Sequence, residues 1–266
     1  MRVPTSIGVY IPVDSPVHSL DALAKVVLTL VLTASLFMVD GAAGLGALGL
    51  VVLATIALSK VPWRSAARGL LSVGIILAFT LLAHGLRFGT APADAVVSVW
   101  RLHVSAGGLA TGVYFAARIV VLVLGTSLLT LTTSPVELAE AFERLMRPLA
   151  RLGVPAHEIA MMLSIALRFI PTTAEEAERI ITAQIARGAR FDRGGPVRRA
   201  RAYVPVLVPL FVGLFRRADK LALAMEARCY RGGEGRTRLR ERRMGSSDWA
   251  VMLAGCALLI AVGVAL

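Results

Sequence analysis

Apolar positions along this chain collect into long runs rather than short alternations. Leu23–Val39 is almost purely apolar and stops at Asp40-Gly41, and Leu45–Leu58 resumes the run before Ser59-Lys60. Leu70–Ala83 and Gly107–Leu131 follow, and Trp249–Leu266 closes the chain. Such runs approach or meet the roughly 17–25 residues that a helix needs to cross a bilayer. Five spans are therefore predicted, with a mixed segment from His84 to Ser105 between the third and the fourth. Residues 1–22 carry Pro4, Pro12, Pro16, Asp14 and Asp21 and no basic region leading into a short apolar core. The first run is accordingly expected to be a retained span and not a secretory signal.

The pattern changes between spans four and five. Ser134-Pro135-Val136-Glu137 is a capping box with proline at the first helical position, which satisfies the free N–H groups at a helix start. Leu138, Phe142, Leu145, Leu149 and Leu152 then recur at helical spacing as one apolar stripe. Glu140, Glu143, Arg144, Arg147 and Arg151 lie off that stripe, so this helix carries too many charges to span and belongs at the interface or against protein. Pro148 should kink its last turn and Gly153 should end it.

Two further helices are predicted in the same insert. One opens at Pro155, is apolar over Ile159–Ile170 apart from Ser164 and Arg168, and is charged over Thr172–Arg190. The other is apolar over Tyr203–Phe215, with Pro205 and Pro209, and charged over Arg216–Arg231. Each apolar half is shorter than a full span and suits an interfacial or re-entrant position. Each gradient describes a helix leaving the membrane, so a helical hairpin reaching into the cytoplasm is expected, with an arginine at each far end. The predicted fold is all-α and polytopic: a bundle over 1–131, an interfacial and cytoplasmic helical region over 132–247, and a last span over 248–266.

Composition and charge sharpen this picture. Hydrophobic residues make up 56% of the 266 and charged residues only 17%, against about 25% charged in soluble domains. The net charge of +12 is concentrated: residues 177–243 hold 17 Lys/Arg against 6 Asp/Glu, eleven of the twelve net charges. A cationic segment close to spans is retained in the cytoplasm, as are Lys60, Arg64 and Arg68 beside Trp63 in the loop before the third run. No groove-reading motif accompanies the charge, which argues against nucleic acid as a partner. Cys229 and Cys256 are too few for a disulfide framework or a four-cysteine zinc site. His18, His84, His103 and His157 have no metal-ligand spacing, so neither a metal nor another cofactor is expected. No phosphate-binding loop of the G-x-x-x-x-G-K-[ST] type occurs, so this chain is not itself an ATP motor.

Several residues stand out against their surroundings. Gly44, Gly46 and Gly49 match a dinucleotide fingerprint, but inside an apolar run such glycines more plainly let another helix approach, as do Gly108 and Gly112. Arg118 and Arg168 are charges in apolar segments and must be functional or paired inside the bundle. With few acids in the spans, backbone carbonyls or a partner protein are expected to satisfy Arg118. Arg187 and Arg228 each follow an alanine at the end of a similarly graded helix. A small residue beside a planar five-donor guanidinium suits insertion into a narrow acidic groove, whereas a single such arginine would simply complement the helix dipole.

These residues, in order, carry a resemblance. Ile7-Gly8-Val9-Tyr10-Ile11-Pro12-Val13-Asp14-Ser15-Pro16 with His18, Leu20, Asp21 and Lys25 opens it. Thr132-Thr133-Ser134-Pro135, Leu152-Gly153-Val154-Pro155 and Ala166-Leu167-Arg168-Phe169-Ile170-Pro171 continue it, and the two arginine signatures close it. Over nearly its whole length the chain resembles the transmembrane T component of energy-coupling factor (ECF) transporters, importers of vitamins and metal ions powered by paired ATPases.

The resemblance implies a non-catalytic scaffold in the cell membrane, with a pair of long cytoplasmic coupling helices. Its implied partners are two ABC ATPase subunits, a small membrane-embedded substrate-binding S component, and the lipid bilayer. Ala186, Arg187 and Gly188 would form the first ATPase-docking motif and Ala227, Arg228 and Cys229 the second. Cys229 departs from the usual glycine, which makes a left-handed turn there costlier. The stripe Leu138, Phe142, Leu145, Leu149 and Leu152 would form part of the surface that grips the S component. The residues alone leave another class open: a polytopic membrane enzyme or anchor that binds anionic lipid head groups through Arg198, Arg199, Arg201 and the run Arg236–Arg243.

Overall fold

The computed structural model describes residues 10–88, 95–99, 102–146, 148, 155–191, 195–230, 232 and 244–265. In chain order they form α1 (Pro16–Ser19), α2 (Ala22–Met38), α3 (Ala42–Ser59), α4 (Trp63–Gly85), β1 (Leu86–Phe88), β2 (Ala95–Val99), β3 (Leu102–Ser105) and α5 (Ala106–Thr132). There follow α6 (Pro135–Met146), α7 (Ala156–Ala186), α8 (Pro196–Ala202), α9 (Val204–Ala227) and α10 (Ser246–Ala265). Among the described residues two compact units result, one over 10–141 with 244–265 and the other over 142–232. The division falls inside α6.

The first unit holds the apolar helices and is predominantly helical, in the manner of a polytopic membrane protein. Helices α3, α5 and α10 are long and apolar enough to cross a membrane, while Ala22–Met38 and Gly69–Gly85 are apolar but shorter. At 17 residues, α2 extends about 26 Å, close to the thickness of a hydrocarbon core. Leu32, Leu36 and Val39 of the α2 segment pack with Leu45, Leu48 and Val52 of α3 and Leu259 of α10 as the main buried cluster.

Glycines decide how closely the helices approach. A Cβ on Gly108 of α5 would strike the His84 carbonyl oxygen of α4, and one on Gly112 would sit 3.4 Å from Leu81 Cα. The α4–α5 contact is therefore backbone against backbone, as the small pair on α5 predicts. Gly46 and Gly49 of α3 contribute less. Gly46 faces open space and Gly49 makes only an ordinary contact with Val121.

Two cations close the ends of the helices on which the bundle turns. Arg118 of α5 donates from Nη2 to the carbonyl oxygen of Val39, the C-cap of α2, and to the Tyr114 hydroxyl at 2.7 Å. Tyr114 Oη donates to the same carbonyl at 2.8 Å, and the guanidinium lies 4.9 Å from the Tyr114 ring centroid. At the opposite ends of these two helices the arrangement is mirrored. Lys25 of α2 is buried and donates from Nζ to the carbonyl of Thr132, the last residue of α5, at 2.9 Å, and to that of His18 at 3.1 Å. Each helix thus supplies the cation that complements the negative C-terminus of the other.

The segment before α2 is folded onto the same place. Ile11 N–H donates to the Leu131 carbonyl at 3.1 Å. His18 bridges the Ser15 hydroxyl (2.6 Å) and the Ile11 carbonyl (3.1 Å), and Asp21 accepts the Leu23 N–H at 2.9 Å as the N-cap of α2.

One local departure from expectation concerns the segment His84–Ser105. It contains an antiparallel three-stranded sheet in the order β1-β3-β2, with Arg87 opposite His103 and Ser98 opposite His103 on the other side. Its strands are three to five residues long, too short to register as a clear alternation. Ser105 ends the sheet and caps α5, its hydroxyl accepting the Gly108 N–H at 3.1 Å.

Replacing Gly108 with alanine is expected to lower stability by about 1–3 kcal/mol, because the helices must part to admit the methyl group. Gly46→Ala, into open space, should be neutral or slightly stabilising. Thermal unfolding of the two variants in the same detergent checks this, and equal transitions would contradict the packing described.

Candidate functional site

In the second unit, α7 and α9 are long helices that pack on one another. Proline starts or punctuates both: Pro155 precedes α7 and Pro171 lies within it, while Pro205 opens α9 and Pro209 lies within it. Near the end of α7, Gln184 Nε2 donates to the Pro205 carbonyl at the start of α9 at 3.4 Å. Further back on α7, Thr172 and Glu176 meet Arg217, further along α9. The two helices therefore run antiparallel.

This corrects the expected hairpin in one respect. Arg187 and Arg228, which end helices graded in the same direction, lie at opposite ends of the pair. At the helical rise, Arg187 lies about 16 Å beyond Glu176 and Arg228 about 22 Å beyond Gly213, so the tips stand up to roughly 40 Å apart.

The tips themselves are built alike. Arg187 is the C-cap of α7 at φ −83°, ψ 6°, and Arg228 is the C-cap of α9 at φ −94°, ψ 15°. Gly188 follows the first at φ +87° and Cys229 the second at φ +55°. Gly188 N–H donates to the Ile185 carbonyl and Ala189 N–H to that of Gln184, both at 2.9 Å. Cys229 N–H donates to Glu226 O at 2.9 Å and Tyr230 N–H to Met225 O at 3.0 Å. Both ends are thus Schellman caps. Cys229 adopts the left-handed turn at a cost of about 1 kcal/mol, which glycine would avoid. Ala186, Arg187, Gly188, Ala227, Arg228 and Cys229 are all exposed, so each guanidinium stands free of its own helix on a bare tip.

The structure also places the other anticipated residues. The α6 capping box forms, with Ser134 N–H donating to Glu137 Oε2 (3.1 Å) and Glu137 N–H to the Ser134 hydroxyl (3.3 Å). Its stripe is divided: Leu138 packs with Ala22, Val26 and Ala141, whereas Phe142 and Leu145 are exposed. Leu149 and Leu152 lie outside the described residues, as do Gly153 and Arg236–Arg243. Pro148 follows the end of α6 at Met146. Arg118 caps α2 as described above, and Arg168 is exposed on α7. Among the described residues, no three His, Cys, Asp or Glu side chains gather as a metal site.

Two features were not singled out from the sequence. Val204, Leu207, Val208, Phe211, Val212 and Phe215 of α9 are all exposed and follow helical spacing, so α9 presents a continuous apolar face. The second feature is the contact of Arg217 with Glu176, whose partners are far apart in sequence.

Comparison with known proteins agrees with the resemblance. The signature of the cobalt transport protein family, CbiQ, matches residues 14–239. The energy-coupling factor transporter transmembrane protein EcfT of Thermanaerovibrio acidaminovorans is 49% identical over 93% of this chain and 91% of its own length. Its namesakes from Heliobacterium modesticaldum and Bacillus subtilis are 46% and 41% identical, over 94% and 93% of this chain and 92% and 93% of their own lengths.

The cap geometry yields a direct test. Cys229→Gly should retain the second cap and stabilise it by up to about 1 kcal/mol, whereas Cys229→Val should open it, because a β-branched residue tolerates positive φ poorly. Hydrogen exchange at the Tyr230 amide, bonded to Met225 O, reads this out: slower or unchanged in the first variant, faster in the second.

Proposed function

The chain belongs to the family of energy-coupling factor transporter transmembrane proteins, and on that premise we propose that it is the scaffold joining two ATPases to a substrate-binding partner. It is a membrane-embedded transporter component. In the proposed reading it sits in the cell membrane with its basic helical unit in the cytoplasm and carries no catalytic site of its own. ATP binding and hydrolysis by two ABC ATPase subunits reorient a small membrane-embedded S component, which delivers a vitamin or other micronutrient.

The observation that carries this reading is the pair of matching arginine tips at opposite ends of α7 and α9. A helix C-terminus alone attracts cations and repels anions, so an exposed arginine there is poised to reach an acidic surface on another molecule. Its rigid fork pairs bidentately with a carboxylate. Two such tips, separated by up to roughly 40 Å along the helices, suit two partner subunits better than one. Alanines at 186 and 227 leave each tip narrow enough to enter a groove.

The S component is the other proposed partner. The exposed apolar face of α9, together with Phe142 and Leu145 on α6, offers it a greasy seat. The chemistry follows from the chain's geometry. When ATP draws the two ATPases together, each pulls on one tip, and the crossing of α7 and α9 changes. The apolar halves of the same helices move with it and tilt whatever rests on them.

An arginine lost from a charge pair buried at an interface costs about 2–5 kcal/mol of affinity. Arg187→Ala should therefore release the ATPase held at the α7 tip and retain the other, Arg228→Ala should do the reverse, and the double variant should lose both. Co-purification from gently solubilised membranes, with ATPase quantified per scaffold, checks this. Intact association in the double variant would defeat the proposal.

A further inference from the structure

Where α7 and α9 meet, one side chain reaches three points on the opposing helix. Arg217 of α9 donates from Nη2 to Glu176 Oε2 at 2.8 Å and from Nη1 to the Thr172 hydroxyl at 3.0 Å. Its guanidinium also lies 5.6 Å from the centroid of the Phe169 ring. Phe169, Thr172 and Glu176 share one face of α7, at helical spacing. Both members of the ion pair are about one-third exposed.

These three contacts straddle Pro171. A proline inside a helix removes the hydrogen bond to the carbonyl one turn earlier and crowds that carbonyl, so it marks the point where a helix bends. Thr172 is tied into that bend: its hydroxyl donates to the Phe169 carbonyl at 2.9 Å while accepting from Arg217. Arg217 therefore touches α7 just before Pro171, just after it and one turn beyond.

The facing surface of α9 is cut to admit this contact. Gly213 lies one turn before Arg217, and a Cβ there would stand 2.7 Å from Glu176 Oε1. With glycine there the carboxylate lies against α9 where it reaches the guanidinium, whereas a side chain would make the Glu176 carboxylate shift.

We propose that Arg217, seated on Glu176 and Thr172 across the Pro171 bend, is the positioning residue that makes α7 and α9 turn as one about their crossing. A surface ion pair alone is worth little, but a planar fork with two bonded acceptors and an aromatic face fixes an angle as well as a distance. In its absence the bend at Pro171 absorbs the movement of the tips, and the apolar halves stay where they were. This inference rests on the scaffold reading for its role in transport, though the crossing contact itself belongs to the chain alone.

The test uses spin labels on a ketone-bearing amino acid, so that the native cysteines stay in place. One label pair is set near the tips, at the exposed residues Ala183 and Ala224. A second pair is set on the apolar halves, at the exposed residues Met162 and Leu207. In the complete transporter in nanodiscs, ATP with vanadate is expected to shift both distance distributions. In Arg217→Met the tip pair should still shift, while the shift of the apolar pair falls at least about fivefold. The exchange Glu176→Arg with Arg217→Glu should restore at least half of it. If both pairs shift together in Arg217→Met, the proposal is overturned.

Should Arg217→Met fail to assemble, Glu176→Leu combined with Thr172→Val removes both hydrogen-bond acceptors with Arg217 in place. For the isolated chain, either variant is expected to broaden the tip-pair distribution about twofold, and an unchanged width overturns the proposal. A wild-type complex whose tip pair ignores nucleotide would defeat the scaffold reading instead, and the width measurement would still decide the crossing contact.

Discussion

Within a bilayer neither a bare carbonyl at a helix end nor an unpaired cation has water to fall back on, and each costs several kcal/mol if left alone. This chain brings the two needs together twice. Arg118 of α5 holds the C-cap carbonyl of α2, and Lys25 of α2 holds the last carbonyl of α5. The two helices are antiparallel because of where these contacts fall, and the distance from Lys25 to Val39 along α2 matches that from Arg118 to Thr132 along α5. Much of the first unit is arranged around this double clasp. Gly125 of α5 lets Leu32 of α2 lie against it, Gly255 of α10 admits Leu28, and the segment Ile11–His18 closes over the Lys25 end.

The consequence for function lies in what the clasp leaves rigid and what it leaves free. A bundle with its helix ends satisfied and its backbones in contact at Gly108 and Gly112 has few ways to deform. The unit containing α7 and α9 is built on other terms. Its helices carry prolines, meet through Arg217, Gly213 and Gln184, and α9 shows an exposed apolar face. A rigid membrane anchor and a jointed pair of lever helices are the two parts that a coupling scaffold requires.

Much of this was readable from residue order. Apolar runs located α2, α3, α5, α10 and the apolar part of α4 within a few residues, because long apolar helices need only composition to announce themselves. The α6 start was legible from Ser134 and Glu137, whose side chains bond locally. So was the matching of the two tips, since Ala-Arg at a helix end is a local signal. What the sequence does not give is the identity of a partner distant along the chain. The acceptor for Arg118 is seventy-nine residues away. The direction in which α7 and α9 pack cannot be read from either gradient, because periodicity names a face and not the neighbour that it meets. The strands between Leu86 and Ser105 are too short for alternation to reveal, and α8 is a single charged segment with no apolar stripe. Cys229 shows the limit of a residue preference: the cap takes its left-handed turn without glycine, because the two hydrogen bonds that close it outweigh about 1 kcal/mol of strain.

The claim on which the rest of the functional reading turns is that each arginine tip is seated in a different ATPase. Photo-crosslinking amino acids at Ala186 and at Ala227, irradiated in native membranes and followed by mass spectrometry of the adducts, test it most directly. The scaffold reading predicts an ATP-binding subunit attached at either position, and a single product carrying two such subunits when both positions are labelled. Adducts to lipid alone at both tips, or one subunit attached at both with no doubly linked product, would contradict it.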